Sequence, residues 1–301
     1  MIGVWGERQM GGWAEQLING LAVGAVYALI ALGYTLVFGV LRLFNFAHCD
    51  VMMAGAYIGW LCAERLGLTL LPAAVISAVA CALLGLAVER FGYRPLYGAS
   101  GMPLMVVALG ISLLLQYAAM LVFGAGARVY PFGYTGGVVH IGSVALPVSK
   151  LTALLLCVAL TAGLELVLKY TRAGRAVSAV ADDKTAARLC GIYENRAVSL
   201  AFVLGSALAG ISGVVYGSMY LVSPFMGLTP GLKAFAASVI GGIGSIPGAV
   251  LGGLTLGLAE ALAGAAFGTA TKDMVSFVLL IVFLLLRPGG IMNSKSGTGR
   301  V

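Results

Sequence analysis

Residues 169–196 read KYTRAGRAVSAVADDKTAARLCGIYENR, the longest polar interval in a chain that is otherwise almost unbroken apolar sequence. Six basic side chains stand in this interval against three acidic ones. Lys and Arg that flank a membrane span are retained on the cytoplasmic side, so we expect the interval there. The stretch from Ser178 to Leu189 predicts a short helix, with Gly191 placed to end it as a C-cap. A short helix at the membrane surface suggests a docking element; an ordinary basic inside loop is the alternative.

The composition indicates a polytopic helical membrane protein. Hydrophobic residues make up 60% and charged residues 10% of the 301 residues, and runs of about 20 apolar residues can cross the ~30 Å hydrocarbon layer. We predict an all-α polytopic membrane protein of about 8–10 transmembrane helices with broken or re-entrant segments. The interval 124–147, rich in Gly, Tyr and Val, fits short strands or a gate on the external face. The net charge of +7 lies mainly in loops and at the C-terminus, so it reports membrane topology rather than nucleic-acid binding.

The first interruption of the apolar pattern follows a span predicted from about Ala14 to Val40. Four polar residues fall there between two apolar runs, with too few residues for an external loop: Arg42, Asn45, His48 and Asp50. Polar backbone at membrane depth is tolerated where it faces protein or a water-filled cavity. We predict a broken or re-entrant helix in which Phe44 and Phe46 pack and Asn45, His48 and Asp50 face inward along a translocation path. A tight cytoplasmic turn containing Arg42 is the alternative.

A second interruption divides a late apolar run at four small or helix-breaking residues: Gly241, Gly242, Gly244 and Pro247. Apolar segments interrupted by Gly or Pro in both halves of a transporter are the best sequence pointer to its path. The pair here would be residues 44–55 and 241–253, which makes these four residues further candidates for the path. Glu260 is the one strong candidate for an ionisable group within a span, and we expect it to pair with a neighbouring hydroxyl or backbone group.

Sequence signals of covalent chemistry are absent. No GxxxxGK[ST] sequence occurs, so the chain cannot hydrolyse ATP by that route. His48 and His140 are far apart in the sequence, and there is no HExxH pattern. The five cysteines lack CxxC spacing and mostly lie within or beside apolar runs, which is typical of small packing residues. We therefore predict no catalytic residue, no metal site and no cofactor.

Three blocks of sequence carry a resemblance to a known family. They are GYTLVFGVLRLFNFAHCDVMMAGAY at 33–57, ADDKTAARLCGI at 181–192 and FAASVIGGIGSIPGAVLGGLTLGLAEAL at 235–262. In this order they resemble the permease subunits of branched-chain amino-acid ABC importers, the LivH type, and the similarity runs from about Leu17 to Asn293. The blocks are specific to this permease superfamily and much less specific for substrate, since related permeases serve urea, short-chain amides and other small amino acids.

The resemblance implies a single transmembrane permease domain over residues 1–301, with a cytoplasmic coupling loop at 169–196. Residues 181–192 would be the coupling helix that docks in a groove of an ATP-binding cassette subunit. The implied coupling residues are the acidic pair that opens the helix, one alanine within it and the glycine that ends it: Asp182, Asp183, Ala187 and Gly191. The family commonly has glycine where this chain has Cys49.

The resemblance also implies partners and a place in the cell. ATP-driven closure of two ATPase subunits would shift the coupling helices, and a periplasmic substrate-binding protein would deliver Leu, Ile or Val. A second permease subunit, expected to be a paralogue, would complete the transporter in the lipid bilayer of the bacterial cytoplasmic (inner) membrane. ATP hydrolysis would then occur on separate subunits, and this chain would not be an enzyme.

Two other transport functions compete with this interpretation. A urea or short-chain amide ABC permease would share all three blocks. An ion-coupled secondary carrier would bind its ion at the broken segments, but no cluster of charged residues is evident near the membrane midplane. A membrane-embedded enzyme lacks any candidate nucleophile or metal cluster. The docking-type loop favours the ABC permease.

Overall fold

The computed structural model of the chain describes residues 2–42, 45–98, 101–131, 138–141, 144–287 and 289–292. As predicted, the protein is all-α; a short hairpin of β1 (Val138–Ile141) and β2 (Val144–Pro147) lies within the interval expected to hold strands. The helices, in chain order, are α1 Ile2–Leu41, α2 His48–Leu66, α3 Leu70–Ala87, α4 Gly101–Phe123, α5 Val148–Tyr170, α6 Arg172–Asp182, α7 Lys184–Leu189, α8 Glu194–Met219, α9 Leu228–Gly241, α10 Ile246–Phe267 and α11 Thr271–Leu286.

The chain is a multi-pass membrane protein. Within the described ranges, six helices are long and apolar enough to cross a membrane, and they are α1, α3, α4, α5, α8 and α10. Helix α2 has 19 residues but carries three charged side chains, and α9 and α11 are shorter, at 14 and 16 residues. The shorter helices pack among the six long ones and complete the predicted polytopic bundle.

The two ends of the bundle can be told apart by charge. We call the end that carries residues 169–196 the basic end, and the other the opposite end. Helix α1 reaches the basic end at Leu41, where Gly39 lies beside Ala181 of α6. Helix α10 begins near the same end, because Ile246 and Ser178 line one cavity, and it runs to Phe267 at the opposite end.

Helix α1 lies at the centre of the bundle. In its span 83% of the residues are buried, against 11% in that of α4, which lies at the periphery. Its glycines Gly20 and Gly24 pack directly on the backbone of α10, with no room for a side chain between them. Gly205 and Gly213 of α8 make similar close contacts with α1 and α2. These glycines thus allow close helix contacts within this chain.

Helix α2 begins inside the bundle and not at its end. Its first residue, His48, lies against Gly33. Gly33 precedes Leu41 by eight residues, which is about 12 Å along a helix. The chain therefore turns back into the bundle after α1, which confirms the predicted re-entrant segment over the alternative of a tight surface turn. Phe46 is 40% exposed, so the expectation that it packs was wrong; Phe44 lies outside the described residues.

Helix α9 also begins inside the bundle. Gly227 and Gly231, around its first turn, lie against Cys49 near the start of α2. Helix α9 then ends at Gly241, and Gly242 adopts a φ of 106° that favours glycine at the turn into α10. The predicted second interruption is confirmed as a break between two helices. The two glycines leave room for the Cys49 side chain.

Candidate functional site

A cavity of about 560 Å³ lies at the opposite end of the bundle, between α1, α5, α8, α9, α10 and α11. We call it the outer cavity. Its walls combine small apolar residues with a group of polar and charged side chains, namely Asn19, Tyr27, Lys150, Lys233, Glu260 and Lys272. A cavity of this size with a few convergent polar groups is typical of a small-molecule site.

An ionic cluster forms the floor of the outer cavity. Lys233 Nζ lies 2.9 Å from Glu260 Oε1 and 2.7 Å from Asp273 Oδ1. Tyr27 donates its hydroxyl hydrogen to Glu260 Oε2 at 3.0 Å, and Ser276 also donates to Glu260. The side chains of Lys233 and Glu260 are only 7% and 5% exposed. Such burial of charges is tolerated because each is paired and hydrogen-bonded.

The expectation for Glu260 was therefore only half right. Hydroxyl groups do bind it, but its strongest partner is Lys233, which the sequence analysis did not select. The expectation that no cluster of charged residues lies near the membrane midplane stays a prediction, because this cluster lies at the opposite end of the bundle. One signal was available: Lys233 and Glu260 are both ionisable residues in apolar sequence on neighbouring antiparallel helices, and intramembrane ionisable residues usually pair with one another.

Two further cavities, of about 160 Å³ and 500 Å³, adjoin each other near the basic end. We call them the inner cavities. The smaller is lined by Thr35 of α1 and Asp182 of α6, and the larger by Lys169 and Pro247. Gly244 lines both. Two predicted path residues, Gly244 and Pro247, and one predicted coupling residue, Asp182, thus line the inner cavities.

The residues of the first interruption lie elsewhere. Asn45 accepts a hydrogen bond from the hydroxyl of Tyr93 at 2.7 Å, and Asp50 accepts one from Gln116 at 2.9 Å. His48 is 1% exposed, and its Nε2 has no hydrogen-bond partner among the described residues. All three side chains face inward, as expected. None lines the outer or inner cavities, so their part in a translocation path stays a prediction.

The predicted coupling helix is two helices. The single helix expected from Ser178 to Leu189 was wrong, because the chain leaves helical geometry at Asp183 (φ −149°, ψ 111°). The Asp183 carboxylate accepts hydrogen bonds from the backbone N–H groups of Thr185 at 2.7 Å and Ala186 at 3.0 Å. It is therefore the N-cap of α7, which satisfies donors that a helix start leaves free.

Helix α7 ends as predicted. Gly191 adopts a φ of 77°, and its backbone N–H donates to the carbonyl of Arg188 at 3.0 Å. Ile192 N–H reaches back to the carbonyl of Ala187 at the same distance, so the last turn is closed by a glycine C-cap. Ala187 is buried, whereas Leu189 is 86% exposed. Helix α7 thus exposes the apolar side chain of Leu189 at the basic end.

Helix α6 connects α7 with the inner cavities. Its residues Val177, Ser178 and Ala181 line the smaller inner cavity, together with Asp182 at its end. The guanidinium of Arg42, at the end of α1, donates to the Ala181 carbonyl at 2.8 Å. Helix α6 thus links α7 to a cavity wall and to the end of the central helix.

Metal and disulfide chemistry have no candidate here. Among the described residues, no group of three or more His, Cys, Asp and Glu side chains could hold a metal ion. The five cysteines are free; four are buried, in line with a packing role, and Cys190 is exposed.

Comparisons with known proteins agree on one family. A family model described as branched-chain amino acid transport system / permease component matches residues 16–284. The high-affinity branched-chain amino acid transport system permease protein BraD of Pseudomonas aeruginosa is 40% identical over 294 residues, covering 93% of this chain and 96% of that protein. The corresponding permease protein LivH of Escherichia coli K12 is 39% identical over 292 residues, covering 93% and 95%.

A more distant relative is named for a different cargo. The autoinducer 2 import system permease protein LsrC of an Enterobacter species is 31% identical over 247 residues, which cover 78% of this chain and 69% of that protein. No solved structure matches the chain.

Proposed function

This chain belongs to the branched-chain amino acid transport system permease family, and we propose that it is a membrane-spanning subunit of an ATP-driven importer of Leu, Ile and Val. The observation that carries the proposal is the match over residues 16–284, together with relatives at 39–40% identity that bear this transport function in their names. The whole chain would act as one permease domain in the bacterial inner membrane.

The proposed partners are two ATPase subunits, a second permease subunit and a periplasmic binding protein. The capped helix α7 is suited to ATPase docking, since it lies at the basic end and exposes Leu189. Positive charge marks this end as cytoplasmic, which makes the opposite end periplasmic. Asp183 and Gly191 would fix the two ends of the docking helix, Ala187 would seat it on the bundle, and Asp182 would join it to the inner cavity.

We place the translocation path along the face of α1 that packs on α9 and α10. Tyr27 contributes to the outer cavity and Thr35 to an inner one, and these residues are eight positions, or about 12 Å, apart on α1. Between them, Ala28 to Ala31 are fully buried. The closed segment keeps the outer and the inner cavities apart, and alternating access requires such a barrier between its two sides. Movement of α6, driven through α7, would open the inner side.

Reconstitution tests the proposal directly. Proteoliposomes that hold the complete transporter, with binding protein outside and ATP inside, should accumulate radiolabelled leucine. Matched vesicles that lack the ATPase subunits should not. Leucine uptake that persists without ATPase subunits would contradict the proposal and restore the ion-coupled carrier. Unlabelled isoleucine, valine, urea and acetamide as competitors would identify the cargo, and competition by urea or acetamide alone would make this a urea or amide permease.

The coupling residues can be tested in the same vesicles. Asp183→Ala removes both cap hydrogen bonds, while Asp183→Asn retains an oxygen that can accept them. We expect Asp183→Ala to uncouple uptake from ATP hydrolysis and Asp183→Asn to resemble the natural chain. If uptake and leucine-stimulated ATP hydrolysis in both variants equal those of the natural chain, Asp183 has no part in coupling.

A further inference from the structure

We propose that the outer cavity binds the zwitterionic head of an α-amino acid, with its carboxylate near Lys272 and its ammonium at Glu260. The proposal rests on the function proposed above and adds to it a site within the permease itself. Affinity in such a transporter would then not reside in the binding protein alone.

Positive charge in the cavity supports a carboxylate ligand. Lys150, Lys233 and Lys272 all line it, against one lining carboxylate, Glu260. Lys233 is held by Glu260 and Asp273, and Lys150 donates to the side chain of Asn19. The ammonium of Lys272 makes no hydrogen bond or ion pair with the described residues, although it is only partly exposed. A ligand carboxylate would provide the missing partner.

Negative charge beside Lys233 supports a ligand ammonium. Two carboxylates, Glu260 and Asp273, share the single ammonium of Lys233 at 2.9 and 2.7 Å. Lys233 can therefore stay paired with Asp273 while the Glu260 carboxylate pairs with a second cation. Tyr27 and Ser276 hold the Glu260 carboxylate in place for that exchange. A ligand that carries both charges pairs with both Lys272 and Glu260, whereas an amine or a carboxylic acid pairs with only one of them.

The rest of the cavity fits the aliphatic part of such a ligand. Val23, Met219 and Ala261 contribute apolar wall, and Gly20 and Gly257 keep the α1–α10 contact close. A volume of about 560 Å³ accommodates one amino acid with bound water. The cavity lies at the end proposed to be periplasmic, where a binding protein would release its cargo.

The test measures leucine binding to the complete transporter in lipid nanodiscs without the binding protein, which would itself bind leucine. Saturation-transfer NMR detects weak ligands and gives a dissociation constant by titration. The probes are leucine, leucinamide, which lacks the carboxylate, and 4-methylpentanoate, which lacks the ammonium. The variants are Lys272→Gln and Glu260→Gln. Arg65→Gln is the matched control, because it removes an exposed cation at the same end of the bundle but outside the cavity.

We expect leucine to bind more tightly than either analogue. Loss of one charge-assisted hydrogen bond in Lys272→Gln should weaken leucine binding about tenfold or more and abolish its advantage over leucinamide. Glu260→Gln should abolish the advantage over 4-methylpentanoate, and it leaves Lys233 paired with Asp273 so that the fold is kept. Arg65→Gln should bind all three probes as the natural chain does.

Three results would overturn the site: equal binding of all three probes, unchanged leucine binding in Lys272→Gln, or no leucine signal from a preparation that performs ATP-dependent uptake. The same preparation is assayed for uptake in proteoliposomes with binding protein added. Failure of that uptake in the natural transporter would count against the proposed function, while leucine binding that depends on Lys272 and Glu260 would still support the site.

Discussion

Both interruptions divide an apolar run of the sequence and were predicted to border the translocation path, but their surroundings in the structure differ. Between α1 and α2, polar side chains are tied to other helices, as Asn45 is to Tyr93 and Asp50 to Gln116. Between α9 and α10, the interruption holds glycines, Ile243 and a single polar side chain, that of Ser245, and it opens onto cavities that reach Thr35. The first interruption is closely packed, and we call it the joint between α1 and α2. The second borders the inner cavities.

The difference teaches how to interpret polar residues in a membrane segment. A break in a helix leaves backbone and side-chain polar groups that must find partners where water is scarce. Asn45 and Asp50 find such partners in Tyr93 and Gln116, whereas His48 Nε2 has none among the described residues, although its side chain is buried. Glycines leave space because they have no side chains. Polar residues alone therefore do not identify a translocation path, because a path also needs a cavity.

The largest expected effect comes from the ionic cluster beside the outer cavity. Lys233→Met leaves the buried Glu260 carboxylate without a cation, which should destabilise the protein by about 3–5 kcal/mol. Thermal unfolding of the purified transporter measures this loss. The double variant Lys233→Met/Glu260→Gln removes both charges and should recover most of the stability. A single variant as stable as the natural chain would show that the cluster is not the tightly paired group described here.

The joint between α1 and α2 should respond less strongly. Asn45→Ala leaves the buried Tyr93 hydroxyl without its acceptor and should cost about 1–3 kcal/mol. Because the joint borders none of the cavities, leucine uptake per folded transporter should be unchanged. Tyr93→Phe is the matched variant, and the two changes together should cost less than their sum. Uptake lost at normal stability would place Asn45 on the path after all.

The end of helix α7 offers a smaller and more local effect. Gly191→Ala meets no neighbouring atom within 4 Å, but it keeps a φ of 77°, so its cost is conformational, about 1–2 kcal/mol. We expect faster hydrogen exchange over residues 184–192 and weaker leucine-stimulated ATP hydrolysis. Gly191→Asn should be milder, since Asn tolerates this region of backbone geometry. Equal exchange in the two variants would argue against the C-cap.

The smallest effect should come from an exposed ion pair. Glu165 and Lys169 lie 3.9 Å apart on α5, with side chains 37% and 72% exposed. Because water screens this pair, Glu165→Gln should change stability by less than about 0.5 kcal/mol. The same melting assay used for Lys233→Met checks it. A loss comparable to that of Lys233→Met would mean that burial does not distinguish the two ion pairs.

Local features of the fold could be predicted from the sequence because their causes are local. The break at Gly241–Pro247, the cap at Gly191 and the inward side chains of Asn45, His48 and Asp50 follow from the residue types. The ion pair of Lys233 with Glu260 was missed, because its members are 27 positions apart and meet only through the packing of α9 on α10; the one signal was that both are ionisable residues in apolar sequence. The kink at Asp183 was missed because the flanking residues are good helix formers, and side-chain capping outweighed that tendency.

The placement of the path is the central claim, and cysteine reactivity tests it most directly. In a Cys190→Ser background, which removes the exposed native thiol, Thr35→Cys and Asn45→Cys are each treated with N-ethylmaleimide, with and without ATP turnover. We predict that the thiol at position 35 reacts at a rate that changes during turnover, whereas the thiol at position 45 stays unreactive throughout. A reactive thiol at 45 together with an unreactive one at 35 would move the path to the first interruption and contradict the account.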